Sequence, residues 1–183
     1  MHLITGGSGS GKSAYAEEQI LAMQGDCRIY IATMDPYDEE SHRRIQRHRR
    51  MRAEKNFTTI ECYRDLETVE LPEGADVLLE CMSNLTANEM FRQDPPEGDV
   101  ADRIIQGVER LRRQARNLVI VSNEIFSDGC EYASETREYQ RVLGTVNCLL
   151  AKMAEQVTEV VYGIPLEVLV DMSRPCVSTR YPE

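Results

Sequence analysis

The sequence predicts an α/β fold built on a doubly wound, mostly parallel sheet, and three observations carry the prediction. Short β-like runs recur along the chain, with helical stretches between them. Several runs are apolar without alternation, as strands buried on both faces are. The first run, HLIT at 2–5, leads directly into Gly6-Gly7-Ser8-Gly9-Ser10-Gly11-Lys12-Ser13. Gly-x-x-x-x-Gly-Lys-Ser between a strand and a helix is the P-loop pattern, which makes the expected fold a P-loop NTPase. Its glycines let successive backbone N–H groups turn inward onto phosphate oxygens, with the positive end of the next helix behind them. Lys12 is then expected to reach the β- and γ-phosphates, and the Ser13 hydroxyl to ligate Mg²⁺. A glycine-rich turn with no ligand is the bland alternative, and the strand-to-helix setting argues against it.

The remaining elements follow in order. A helix from Ser13 to Met23 opens at the motif, and RIYIAT (28–33) is the second strand, ending in Thr33. A very polar stretch from about 38 to 52 reads as helix, and FTTIEC (57–62) as the third strand, with Glu61 near its end. DVLLEC (76–81) is the fourth, and the acid there, Glu80, is the best candidate for holding the metal of a P-loop site, as metal ligand and catalytic group. Its bland reading is a surface glutamate at a strand end. RQDPPEGD (92–99) is a loop by its Pro and Gly content, and 100–115 is a helix with apolar residues at 104, 105, 108 and 111. NLVIVS (117–122) is the fifth strand. The Asn123 and Glu124 that follow it fall where open α/β sheets bind ligands, which makes them candidates for substrate, with Glu124 second to Glu80 for metal. A long helix over 135–154 and a last strand, EVVYGI (159–164), complete one expected domain over 1–172, with 173–183 a loosely held tail. Thr33 and Glu61 join the P-loop residues as candidate nucleotide contacts.

Composition narrows the function classes. With 183 residues, 42% hydrophobic and 28% charged, the chain has the make-up of a globular protein, and no apolar run is long enough for a membrane span. The first residues lack the charged and apolar regions of a signal peptide, so a cytoplasmic location is expected. The six cysteines form no C-x-x-C pair and are expected to be reduced thiols. A formal net charge of -10 argues against nucleic acid as partner. Yet six of the 21 basic residues lie between Arg43 and Arg52, a positive island suited to phosphate.

If 38–52 is helical, Arg44, His48 and Arg52 fall at i, i+4 and i+8 on one stripe. Surrounding guanidinium groups disfavour protonation, which would leave the His48 imidazole neutral and nucleophilic, and the same arginines can grip phosphates. Two readings stand: a solvated basic face, or a histidine placed to attack phosphorus. His42 reads as a solvent residue, and His2 lies too near the terminus to weigh.

Together, TGGSGSGKS at the start, YIAT, DEE followed by RRIQRHRRMR, LLECMSNL, VSNE and VNCLLAKMAEQVTEVVYGIPL resemble the bifunctional adenosylcobinamide kinase / adenosylcobinamide-phosphate guanylyltransferase family, over about residues 2–168. The P-loop is widely shared; the R-x-x-R-H-R block with VSNE discriminates. The resemblance implies a recombinase-like P-loop core, association as a homotrimer, and two reactions using GTP, with ATP an option for the first. The aminopropanol hydroxyl of adenosylcobinamide is phosphorylated, and a histidine matching His48 then takes GMP from GTP and passes it to the new phosphate. Two segments depart from the family pattern. RAEKNF, with Ala53 and Phe57, stands where R-P and a tryptophan are common, and IFSDGCEY follows VSNE in place of a glycine-rich stretch. One of the two activities alone is the alternative within the class, and a P-loop ATPase regulatory subunit is the alternative from another; the acidic charge and the lack of aromatic platforms among the basic residues disfavour the latter.

Overall fold

Seven strands form one sheet: β1 (His2–Thr5), β2 (Arg28–Ala32), β3 (Phe57–Glu61), β4 (Asp76–Glu80), β5 (Asn117–Val121), β6 (Gln156–Val161) and β7 (Ile164–Val168). The computed structural model describes residues 1–36, 39–52, 54–126 and 132–168, and only the backbone at 40, 41, 44, 47, 48, 51 and 52. The strand order is β3-β2-β4-β5-β1-β6-β7, parallel throughout except for the last pair. The helices are α1 (Lys12–Ala22), α2 (Glu39–Arg52), α3 (Met82–Met90), α4 (Val100–Gln114) and α5 (Ser134–Met153).

Burial on both faces explains the unbroken apolar runs. Along β4, Val77 and Leu79 face a core shared with Leu85 of α3, Val108 and Leu111 of α4, and Leu143 and Val146 of α5. Leu78 faces the other way, onto Ala16 and Ile20 of α1. Adjacent strand residues point to opposite sides, so a strand covered twice has no polar side to show. Asp99 starts α4 by accepting from the backbone N–H groups of Ala101 (2.8 Å) and Asp102 (3.3 Å), and Arg112 and Arg113 sit in its last turn, opposite in sign to the carbonyl end of the dipole.

Two elements correct the sequence reading. The expected strand 159–164 spans the end of β6, a two-residue turn and the start of β7, and β6 begins earlier, at Gln156. Tyr162 (φ 51°) and Gly163 (φ 78°) make that turn, with Val161 paired to Ile164. Two successive positive φ values match the twist of a tight antiparallel hairpin. The second correction is α3, which had no apolar periodicity to announce it. Its buried residues include Ser83, Thr86, Asn88 and Glu89, and Asn88 bridges the carbonyls of Thr33 (2.8 Å) and Tyr63 (2.9 Å). The predicted tail at 173–183 lies outside the described residues.

Candidate active site

β1 ends at Thr5, and the chain curls through Gly6–Gly11 before α1 begins. Gly9 (φ 72°) and Gly11 (φ 96°) take the left-handed backbone that side chains resist. A Cβ on Gly11 would lie 3.2 Å from the Cα of Gly163, so the β6–β7 turn walls the loop on one side, with the Gly163 N–H donating to the Ser10 carbonyl at 2.7 Å. A Cβ on Gly7 or Gly9 would meet nothing within 4 Å: space is open there. Lys12 is almost buried, its ammonium donating to the Gly7 carbonyl at 2.9 Å. Burial lowers its pKa, while the neighbouring Cys81 and Glu80 side chains oppose the shift. The Ser10 hydroxyl is buried without a hydrogen-bond partner among the described residues. A loop that turns a lysine onto its own carbonyl and leaves a hydroxyl unanswered has donors to offer an anion.

Glu80 stands at the end of β4, two strands away from β1, yet it meets the P-loop helix. The Ser13 hydroxyl donates to its Oε1 at 2.5 Å, and the Tyr30 hydroxyl, from β2, donates to its Oε2 at 2.9 Å. A hydroxyl and a carboxylate in contact are hard oxygen donors of the kind Mg²⁺ takes, and Ser13 with Glu80 therefore fits the ion. Thr33 is fully buried: its hydroxyl donates to the Cys81 carbonyl (2.8 Å) and accepts from the Cys81 N–H (2.7 Å). That hydroxyl braces the backbone beyond Glu80 rather than presenting itself to a ligand.

A cavity opens on the other side of Glu80, lined also by Tyr30, Met34, Ile45, Arg49 and Glu61. Glu61 pairs with Arg49 of α2 and accepts from the Tyr63 hydroxyl at 2.8 Å. Burial and the Glu61 carboxylate push the Tyr63 phenol up to about 12. Through Ile45 and Arg49, α2 borders the same cavity as Glu80. His48, Arg44 and Arg52 belong to α2, and their side chains lie outside the described residues.

The residues after β5 separate. The Asn123 amide donates to the Ser83 hydroxyl of α3 at 2.6 Å. Glu124 is tied to the P-loop by its N–H to the Gly6 carbonyl (3.0 Å) and borders a groove with Ser8, Ile125, Tyr139 and Gln140. Sequence reasoning missed Tyr30, Tyr63 and Arg49. The signal for Tyr30 was a hydroxylated aromatic inside an otherwise aliphatic strand, and that for Arg49 was hidden by five neighbouring arginines.

The sequence model of the cobinamide kinase / cobinamide phosphate guanyltransferase family matches residues 2–168. The chain belongs to this family. Members of the cobinamide kinase / cobinamide phosphate guanyltransferase family with curated descriptions are similar to it over nearly their whole length. The bifunctional adenosylcobalamin biosynthesis protein CobU of Salmonella typhimurium is 33% identical over 92% of this chain and 99% of its own. The corresponding protein CobP of Pseudomonas aeruginosa is 31% identical over 90% of this chain and 94% of its own. Among solved structures, the flagellar accessory protein FlaH from Methanocaldococcus jannaschii aligns with 86% of this chain and 69% of its own at a TM-score of 0.46 and 13% identity.

Proposed function

We propose that this enzyme phosphorylates adenosylcobinamide from a nucleoside triphosphate on the P-loop and then transfers GMP from GTP, through His48, to the new phosphate, giving adenosylcobinamide-GDP. The observation that carries the reading is the cluster at the loop: Lys12 against Gly7, and Ser13 and Tyr30 both donating to Glu80. In the first step the acceptor hydroxyl oxygen bonds to the γ-phosphorus as the bond to the bridging oxygen breaks, releasing a nucleoside diphosphate. Backbone N–H groups of residues 6–11 and the Lys12 ammonium offset the negative charge on the phosphates. Ser13 and Glu80 would hold Mg²⁺, which when bound supplies further positive charge beside the β- and γ-phosphates. A P-loop grips phosphates rather than the base, so GTP and ATP both suit this step.

In the second step an imidazole nitrogen of His48 attacks the α-phosphorus of GTP, pyrophosphate leaves, and a phosphorus–nitrogen bond holds GMP. An oxygen of adenosylcobinamide phosphate then displaces the histidine. Two displacements let GTP react before the bulky corrinoid must be aligned. Arg44 and Arg52, one helical turn to either side, would offset charge on the α-phosphate, while Thr33 and Glu61 shape the strand ends below. Asn123 and Glu124 are assigned to the corrinoid side. On the same reading the protein works in the cytoplasm as a homotrimer. Among the described residues no helix is long and apolar enough to cross a membrane, and the exposed Ile164, Leu166 and Val168 of β7 form an apolar edge of the kind that copies cover.

Incubation with GTP labelled at the α-phosphorus tests the assignment. One guanylyl group should be gained through a bond that acid cleaves and alkali spares. His48→Ala should lose the label and keep much of the phosphorylation, and His42→Ala should keep both. Label that persists in the His48 variant, or that maps to a lysine, refutes the assignment.

A further inference from the structure

α2 carries His48, yet among the described residues it packs extensively on no other helix or strand. Its sequence, EESHRRIQRHRRMR, holds only two apolar residues, Ile45 and Met51, too few for a core-facing stripe. Two described attachments to the body of the protein lie toward its C-terminal end. One is the Arg49–Glu61 pair, with both side chains about half exposed; solvent screens such a pair, and it constrains little. The other lies three residues past the helix. Lys55, in the turn before β3, gives its ammonium to Glu17 of α1.

This second contact is built differently. The Glu17 side chain is fully buried and that of Lys55 is 29% exposed. The other carboxylate oxygen of Glu17, Oε1, is buried and has no hydrogen-bond partner among the described residues, which leaves Lys55 as the group the charge depends on. The turn is fixed from a second side by Arg28 at the start of β2, whose Nη1 donates to the Lys55 carbonyl at 3.3 Å. Glu17 follows Ser13 by four residues, so the two share a face of α1. The end of the histidine helix is therefore fastened to the P-loop helix one turn from the residue that meets Glu80.

We infer that the Glu17–Lys55 pair is a positioning contact for guanylyl transfer: it fixes the C-terminal end of α2 against α1 and so sets where His48 can meet a nucleotide held on the P-loop. The inference rests on the assignment of His48 as the attacking group. Apolar side chains of the same size would fill the space and tolerate sliding. A buried carboxylate opposes every displacement that takes its cation away, because Glu17 cannot be left charged and alone out of water. Phosphorylation, which needs the P-loop and Glu80, does not draw on the position of α2.

The test is the double variant Glu17→Gln/Lys55→Met, which removes both charges and leaves no buried ion unpaired, compared with Lys55→Arg, which keeps the pair. In the double variant single-turnover guanylylation of His48 should slow by roughly 10- to 100-fold, the scale expected when a reacting group is displaced by about 1 Å. Phosphorylation turnover and its KM for nucleotide should stay near wild type, and Lys55→Arg should label at close to the wild-type rate. Amide exchange gives a reading independent of chemistry: residues 39–52 should exchange faster in the double variant while β4 and β5 stay protected. Equal losses in both reactions, unchanged labelling, or unchanged exchange in α2 would overturn the inference. Failure of the wild-type protein to take up label would instead remove His48 from the mechanism, and the inference with it.

Discussion

Ser13 and Glu80 come from elements far apart in sequence, and if they hold one ion their removal should not be independent. Glu80→Gln is the sharper perturbation. The carboxylate accepts from two hydroxyls, Ser13 at 2.5 Å and Tyr30 at 2.9 Å, and an amide can accept on one oxygen only. One charge-assisted hydrogen bond is lost, about 1.5–3 kcal/mol, which alone corresponds to roughly 10- to 100-fold in turnover. Loss of the negative charge facing the metal should carry the fall to about 10³-fold. Ser13→Ala removes the other oxygen and should cost about 10²-fold. Because the two atoms touch and serve one ion, the double variant should match the worse single within about 0.5 kcal/mol, where independent sites would add. The assay is phosphorylation turnover titrated with Mg²⁺, with folding monitored by circular dichroism. Both single variants should require more metal. Additive losses, or an unaltered metal requirement in either variant, would refute the shared site and turn attention to Glu124.

Three further outcomes are expected. Lys12→Met should lower phosphorylation by two or more orders of magnitude, roughly 3 kcal/mol in barrier, in steady-state kinetics; near-wild-type turnover would remove the lysine from the site. Gly11→Ala forces a side chain onto a backbone at φ 96°, with its Cβ 3.2 Å from Gly163, and should lower the thermal midpoint by an amount equivalent to about 1–3 kcal/mol. Burial, and then the nearby amino terminus, depress the pKa of His2 from 6.5 to about 4, with its ring hydrogen-bonded to Thr158 at 2.8 Å. The unfolded chain thus takes the proton first, so His2 supports stability above pH 6.5 and withdraws that support, about 3 kcal/mol in all, as pH falls through 4. Denaturant titrations of wild type and His2→Gln should diverge over that interval; parallel curves would count against it.

What could be read from the sequence was what local physics writes locally. The P-loop is a contiguous motif, and β2, β4 and β5 were legible because burial on both faces leaves a run of aliphatic residues. β7 was not: all five of its residues are exposed, so no burial pattern marks it, and the Tyr162-Gly163 turn lacks the Asn or Asp that usually announces such a hairpin. α3 escaped because its buried side chains are largely polar, and Ser83, Asn88 and Glu89 find their partners in other parts of the chain. Glu89, for example, accepts from Arg92 (3.2 Å), from Arg103 (3.3 Å) and from the Asp65 N–H (2.7 Å). Within the site, the place of Glu80 at the end of β4 was legible, but the Tyr30 hydroxyl and the Glu17–Lys55 pair join residues brought together only by the fold. No spacing rule reaches that far.

The place of β1 in the sheet has a consequence for how the molecule is made. Its two hydrogen-bonding neighbours are β5 and β6: His2 lies beside Val119 on one side and Gln156 on the other. The strand that carries the nucleotide loop is thus synthesised before the other six strands of the sheet, and both of its sheet neighbours follow only after β2, β3 and β4. Throughout that interval the loop has no strand beside it and no Gly163 to wall it in. Contacts so distant in sequence are slow to form, because the intervening chain must first give up its freedom. Nucleotide-binding competence should therefore appear as one of the last events in folding, after the β2–β4 half of the sheet has assembled, and the N-terminal segment should depend on that half as a platform against which it can wait.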